Sequence, residues 1–225
     1  MHSVIFDFNG TLFQDSEKHM AAWHVFADRY GKRVMREELE KFFLGRANAF
    51  ILRRMFGEGV SEAEIARMAQ EKEGIYRELC VADPASCHLV AGAEEFLDYL
   101  HAAGVHFTIA TGSECSNVDF YFRIFGLSRW FDREEIVLDD GTFPGKPEPD
   151  GFLLAAKRLR AAPGECIVFE DSYSGVQAAR AAGVAGIALI GEKAPERDEK
   201  NRVPVLSVTK DFTEMIRIWK EKLSE

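Results

Sequence analysis

The sequence predicts an α/β fold, a doubly wound, mostly parallel sheet carrying an inserted all-helical module. Three observations carry this reading. Six short apolar runs bounded by turn residues have the length and continuity of strands buried on both faces. From residue 92 onward these runs alternate with helical patterns, and that alternation implies parallel strands joined by crossover helices. Between residue 16 and about residue 80 the alternation stops, and only helical patterns remain.

In chain order, "VIF" at 4–6 predicts the first strand. Helical stretches follow at about 16–30, 36–43, 47–56 and 61–80, separated by Gly31, Gly45 and the pair Gly57 and Gly59. Ser61 followed by Glu64 has the spacing of a capping box and opens the last of these helices. The module closes near "DPASCHLVAG", so the expected division is residues 1–15 with 86–225 as the α/β core and 16–85 as the helical insertion. The remaining strands are predicted from "VHFTIA" at 105–110, "EIVL" at 135–138, "CIVF" at 166–169, "AGIALI" at 185–190 and "VPVLSV" at 203–208. Between and after them lie the helical patterns "AEEFLDYLHAAG", "NVDFYFRIFG", "GFLLAAKRLR", "YSGVQAARAAG" and "FTEMIRIWKEKL". The handedness of parallel crossovers then makes a doubly wound sheet the natural arrangement.

Composition narrows the class. A chain of 225 residues that is 47% hydrophobic can fill a sizeable core, and no apolar run has the length of a membrane span. The formal charge of −9 argues against a nucleic-acid partner, because phosphate backbones select positive surfaces. Cys80, Cys87, Cys115 and Cys166 lack paired metal-ligand spacing, and no basic, apolar and small-residue series opens the chain. The expectation is a cytoplasmic protein with reduced thiols and no membrane partner; the sequence leaves the oligomeric state open, and a monomer is compatible with it.

In doubly wound sheets, ligands bind beyond the carboxyl ends of the strands. After the first strand come Asp7 and Asn9; after the second, Thr111, Gly112 and Ser113; after the third, Lys146 within "PGKPEPD"; after the fourth, Glu170 and Asp171. Acids converging on one cleft repel one another unless a hard cation lies between them, and oxygen-only ligation suits Mg²⁺. Lys146, Thr111 and the amides near Gly112 and Ser113 would neutralise phosphoryl oxygens.

"DFNGTL", "TGS", "GKPEPDGF" and "EDSYSGVQAARAAG" occur in the order and rough spacing of the haloacid dehalogenase superfamily of hydrolases, which the chain resembles over nearly its whole length. The helical insertion resembles the cap of the subgroup containing β-phosphoglucomutase and phosphoglycolate phosphatase. The resemblance implies a Rossmann-like core and a Mg²⁺-dependent phosphatase acting on a small phosphorylated metabolite. By it, Asp7 is the nucleophile forming an aspartyl-phosphate, Thr111 binds the transferring phosphoryl group, and Lys146 bridges that group to the nucleophile. Asp171, assisted by Glu170, holds Mg²⁺ together with Asp7 and the main-chain carbonyl of Asn9. A cap of this kind closes over bound substrate and excludes water.

One position departs from the pattern. The family's phosphatases place a second Asp where this chain has Asn9, and that Asp protonates the leaving oxygen and then activates water. An amide has no usable pKa for either task, whereas a main-chain metal ligand survives the change. Loss of the acid is compatible with dehalogenase chemistry, but the acidic pair Glu170 and Asp171 favours phosphate. The alternatives are a β-phosphoglucomutase-like phosphomutase and a catalytically weakened descendant that binds a phosphorylated ligand. In the helical module, Arg46 suits recognition of a distal anionic group, and His19 is the candidate substitute for the missing proton carrier.

Overall fold

A computed structural model describes residues 2–39, 43, 46–191 and 203–223. The chain divides into two compact units, Met1–Gln14 with Leu89–Glu225 and, between them in sequence, Asp15–His88.

The first unit is built on six strands: β1 (Ser3–Phe6), β2 (Phe107–Glu114), β3 (Val137–Asp139), β4 (Cys166–Glu170), β5 (Gly186–Ile190) and β6 (Val205–Thr209). Their order is β3-β2-β1-β4-β5-β6 and every pairing is parallel. This is the doubly wound arrangement, with β1 and β4 side by side at its centre and Phe6 in register with Phe169. β2 departs from expectation in one respect. Its ladder runs on through Thr111, Gly112 and Ser113, because after a register shift Glu114 pairs with Asp139 of β3.

Alternation along the central strands sends side chains to two cores. Ile5 and Val168 pack with Phe152, Ala155 and Ala156 of a helix at Asp150–Arg158 and with Val176 and Ala179 of one at Tyr173–Ala182. Phe6 and Phe169 face the other way, their ring centroids 4.9 Å apart, and meet Phe96 and Phe212. Phe96 lies on the helix Ala93–Ala102 and in turn touches Trp219, in the last turns of the chain. Each ring removed from water contributes about 1.5–3 kcal/mol, so the strands carrying the site are anchored from both faces. The main-chain N–H of Val90 donates to Leu12 O at 2.9 Å and ties the two ends of the first unit's chain on either side of Asp15–His88.

The second unit is helical. With the helices in chain order, α1 is Ser16–Arg29, α2 Arg36–Glu38, α3 Asn48–Phe56 and α4 Glu62–Ala82. Of the helix expected over 36–43, residues 40–42 lie outside the described residues, as does Gly45. The Ser61–Glu64 capping box is formed in both directions. Trp23, Phe26, Ile65, Met68 and Tyr76 fill the interior. Within it lies a charged group: Lys72, 1% exposed, donates to Glu73 Oε1 at 2.7 Å, which also accepts from Asn48 Nδ2. A buried ammonium is tolerable only when so paired. The first unit continues with α5 (Ala93–Ala102), α6 (Cys115–Phe125), α7 (Asp150–Arg158), α8 (Tyr173–Ala182) and α9 (Met215–Ile218). None of the described helices is long and apolar enough to cross a membrane.

Candidate active site

The loop after β1 folds back on itself within a few residues. Leu12 N and Phe13 N both donate to Phe8 O, and Gly10 N donates to Phe13 O at 2.7 Å. Gly10 is required twice. Its φ is +88°, in the region that favours glycine, and an added Cβ would stand 2.1 Å from Asp171 Oδ2. The turn therefore brings the Asp7 loop directly against the loop after β4. Thr11, fully buried, donates to Asp171 Oδ1 at 3.4 Å.

Asp7 is 5% exposed, and Lys146 Nζ donates to its Oδ1 at 2.5 Å and to Glu170 Oε1 at 2.6 Å. Glu170 is fully buried; its other oxygen accepts the main-chain N–H groups of Asp171 and Ser172 at 2.7 and 2.6 Å. Ser172 caps α8 by accepting from Gly175 N at 3.0 Å. At Gly175 a Cβ would fall 1.6 Å from Glu170 Oε1, so the glycine in "YSG" leaves room for that carboxylate.

Burial pushes the Asp7 carboxyl up to about 7, with Lys146 pulling it down and Glu170 adding to the rise. For Lys146 burial opposes the charge, but the attraction of Asp7 and Glu170 prevails and its pKa is raised. Asp7 Oδ2 is buried without a hydrogen-bond partner. Asp7, Glu170 and Asp171 each offer a carboxylate oxygen, all within 4.8 Å of one another. Three acids against one ammonium, with an anionic oxygen left over, fit a hard divalent cation.

A second, uncharged cluster surrounds Asn9. Its Oδ1 accepts from Ser113 Oγ at 2.7 Å and from Thr111 Oγ1 at 3.1 Å, and its Nδ2 donates to the Tyr121 hydroxyl at 2.9 Å. Thr111 Oγ1 also accepts Ser113 N at 3.1 Å. Thr111 and Ser113 are buried and Gly112 between them is exposed, as alternation on one strand requires. Tyr121 lies on α6, stacked on Phe8 with ring centroids 4.4 Å apart. Nothing in the sequence distinguished it, since an aromatic at helical spacing reads as core; Thr11 lies within "DFNGTL", but the sequence gives its hydroxyl no evident partner.

The first unit thus gathers Asp7, Asn9, Thr111, Gly112, Ser113, Lys146, Glu170 and Asp171 on its strand ends. Arg46 and His19 belong to the second unit. Arg46 is exposed, its guanidinium 5.0 Å from the Phe50 ring centroid. His19 stacks on Tyr76, with Nδ1 2.7 Å from Lys72 Nζ and Nε2 3.3 Å from Asp15 Oδ2. An ammonium only donates, so Nδ1 is the acceptor and Nε2 carries the proton. Both ring nitrogens of His19 are thus engaged within the helical unit.

Residues 1–183 match the family model for haloacid dehalogenase-like hydrolases. The chain belongs to this family. Among relatives of the haloacid dehalogenase-like type, it is 34% identical to hexitol phosphatase A of Escherichia coli, over 82% of this chain and 81% of the relative. It is 29% identical to a phosphorylated carbohydrates phosphatase of Thermotoga maritima, over 83% and 84%. The crystal structure of a family IA, variant 3 hydrolase of the same superfamily from Entamoeba histolytica superposes with a TM-score of 0.82 at 31% identity, covering 98% of this chain and all of the other.

Proposed function

We propose that the protein is a Mg²⁺-dependent phosphatase of a small phosphorylated metabolite, working through an aspartyl-phosphate on Asp7. The observation that carries this reading is Asp7 itself: one oxygen on Lys146, the other buried without a hydrogen-bond partner beside two further carboxylates. The activities named for the relatives, on phosphorylated carbohydrates and hexitol phosphates, support the substrate class.

In this reading Asp7, Asp171 and the main-chain carbonyl of Asn9 would hold Mg²⁺, with Glu170 assisting. Bound there, the cation would neutralise phosphoryl charge and relieve the repulsion among the acids. Asp7 attacks phosphorus, the P–O bond to the leaving group breaks, and water then releases inorganic phosphate from the Asp7 acyl phosphate. Lys146 keeps Asp7 oriented and offsets charge on the transferring group, and Glu170 holds Lys146 in place. Thr111, Ser113 and the amide of Gly112 form the rest of the phosphate cradle. Asn9 moves no proton, so attack proceeds most readily where the leaving group departs with little protonation. The phosphomutase alternative needs the same proton carrier and is disfavoured by the same residue.

Replacing Asp171 with Ala is expected to weaken Mg²⁺ binding, read by calorimetry, and phosphatase activity together. Full activity in excess chelator would exclude the mechanism and return the choice to dehalogenase chemistry. For Arg46, carried over from the family's caps as the group that recognises a distal anion, the substitution Arg46→Ala should raise KM for a substrate with a second anionic group several-fold. It should scarcely alter KM for a small aryl phosphate. Equal effects on both substrates would remove Arg46 from the specificity apparatus.

A further inference from the structure

Asn9 is clamped at both ends, by Tyr121 on its nitrogen and by Ser113 and Thr111 on its oxygen. The two ends of an amide are nearly the same size, so what lies at one end decides which atom faces the other. With the Tyr121 oxygen accepting from Nδ2, Oδ1 is turned onto the strand, and the hydroxyls of Thr111 and Ser113 both direct their protons to it. Thr111 Oγ1 has its acceptor side engaged as well, by Ser113 N. The protons drawn to Asn9 are those that phosphoryl oxygens would otherwise take.

We propose that Tyr121 is a positioning residue that lowers the affinity of the site for phosphate: through Asn9 it holds an internal acceptor against Thr111 and Ser113, and a phosphoryl group must compete with it. The inference rests on reading these hydroxyls as the phosphate cradle. The Tyr121 ring is 1% exposed and stacked on Phe8 at 22°, so packing sets its place independently of the hydroxyl. Removing the hydroxyl takes away the acceptor that orients Nδ2, together with its 3.4 Å contact to Ser113 Oγ, and the amide is then expected to turn over. Nδ2 then donates to the hydroxyl oxygens, whose protons become available to phosphate. Weaker binding of the ground state and of product favours turnover when phosphate release is slow.

The test is calorimetric titration of inorganic phosphate, with Mg²⁺ present, into the parent protein, Tyr121→Phe, Asn9→Ala and the double variant. Tyr121→Phe is expected to lower Kd about three- to tenfold, the size of one hydrogen bond no longer competed for. Asn9→Ala should lower it by a similar factor, and the double variant should bind no more tightly than Asn9→Ala. A merely structural role for Tyr121 predicts the opposite sign, weaker binding. Unchanged or weaker binding in Tyr121→Phe overturns the inference, as does tightening that persists in full on the Asn9→Ala background. Should Tyr121→Phe fold poorly, Asn9→Ala decides alone, because phosphate binding no tighter than the parent's removes the competition. Binding by none of the four proteins overturns the phosphate-cradle reading and this inference with it, whereas equal binding by all four overturns this inference only.

Discussion

Replacing Asn9 with Asp is expected to raise turnover of an alkyl phosphate by about 10²-fold, at the lower end of the 10²–10⁴ that positioned general acid–base catalysis supplies. An aryl phosphate should gain less, because a phenolate departs without a proton. The lower end is expected because Ser113, Thr111 and Tyr121 surround position 9 with three hydroxyls, all able to donate to a carboxylate. Such donors favour the ionised form, which serves to activate water but depletes the acid needed for the leaving oxygen. Steady-state rates on one alkyl and one aryl ester, parent against Asn9→Asp, check the ratio. Equal gains on both esters would show that the introduced acid acts only on the water step. No gain on either would mean that another group already moves the proton.

The second large effect is a trade between activity and stability at Asp7. Asp7→Asn should abolish phosphatase turnover while making the metal-free protein more stable at pH 8. The sign follows from the carboxyl, whose pKa burial raises from 3.8 to about 7 in the fold. Below 3.8 both folded and unfolded chains hold the proton and nothing is at stake. Between the two values the unfolded chain ionises first, so stability falls as pH rises; above about 7 the whole penalty is present. Because Lys146 offsets part of the cost of burying the charge, a gain of about 1–3 kcal/mol is the expected result. Urea unfolding of both proteins in chelator should show the gain at pH 8 and most of it gone near pH 4. A variant less stable than the parent at pH 8 would mean that the Lys146 pairing outweighs the burial of charge.

Much of this architecture was legible in the residues. Strands buried on both faces must be apolar throughout, and "VIF", "CIVF" and "AGIALI" are. The strand ends could be read as a site because parallel strands deliver whatever follows them to one edge. Asp7, Lys146 and Glu170 meet there although they lie far apart in sequence. What stayed hidden was chiefly side-chain partnership. Lys72 and Glu73 sit in a polar-looking helix, "QEKEG", and nothing in its periodicity says that an ammonium and a carboxylate are buried there together. Tyr121 is one aromatic among several in "NVDFYFRIFG", and only the fold reveals that its hydroxyl meets Asn9 across 112 positions of chain. For His19, likewise, the sequence does not disclose that Lys72 lies at its Nδ1. The extent of β2 is hidden for a different reason: a glycine within "TGS" reads as a turn, while the neighbouring strand supplies a ladder for it.

The hydrogen bond from Val90 to Leu12 has a consequence for how the molecule assembles and how it can be altered. β1 must find β2 across the whole of Asp15–His88, pairing Val4 with Phe107. The entropy of closing such a loop grows only with the logarithm of its length, each doubling adding about 0.6 kcal/mol. The bond between Val90 and Leu12 holds the two stems of the intervening segment together, outside the sheet itself. With the stems joined, a change in the length of the segment is expected to cost strand pairing little, so the central strands should keep their register when it is lengthened or shortened.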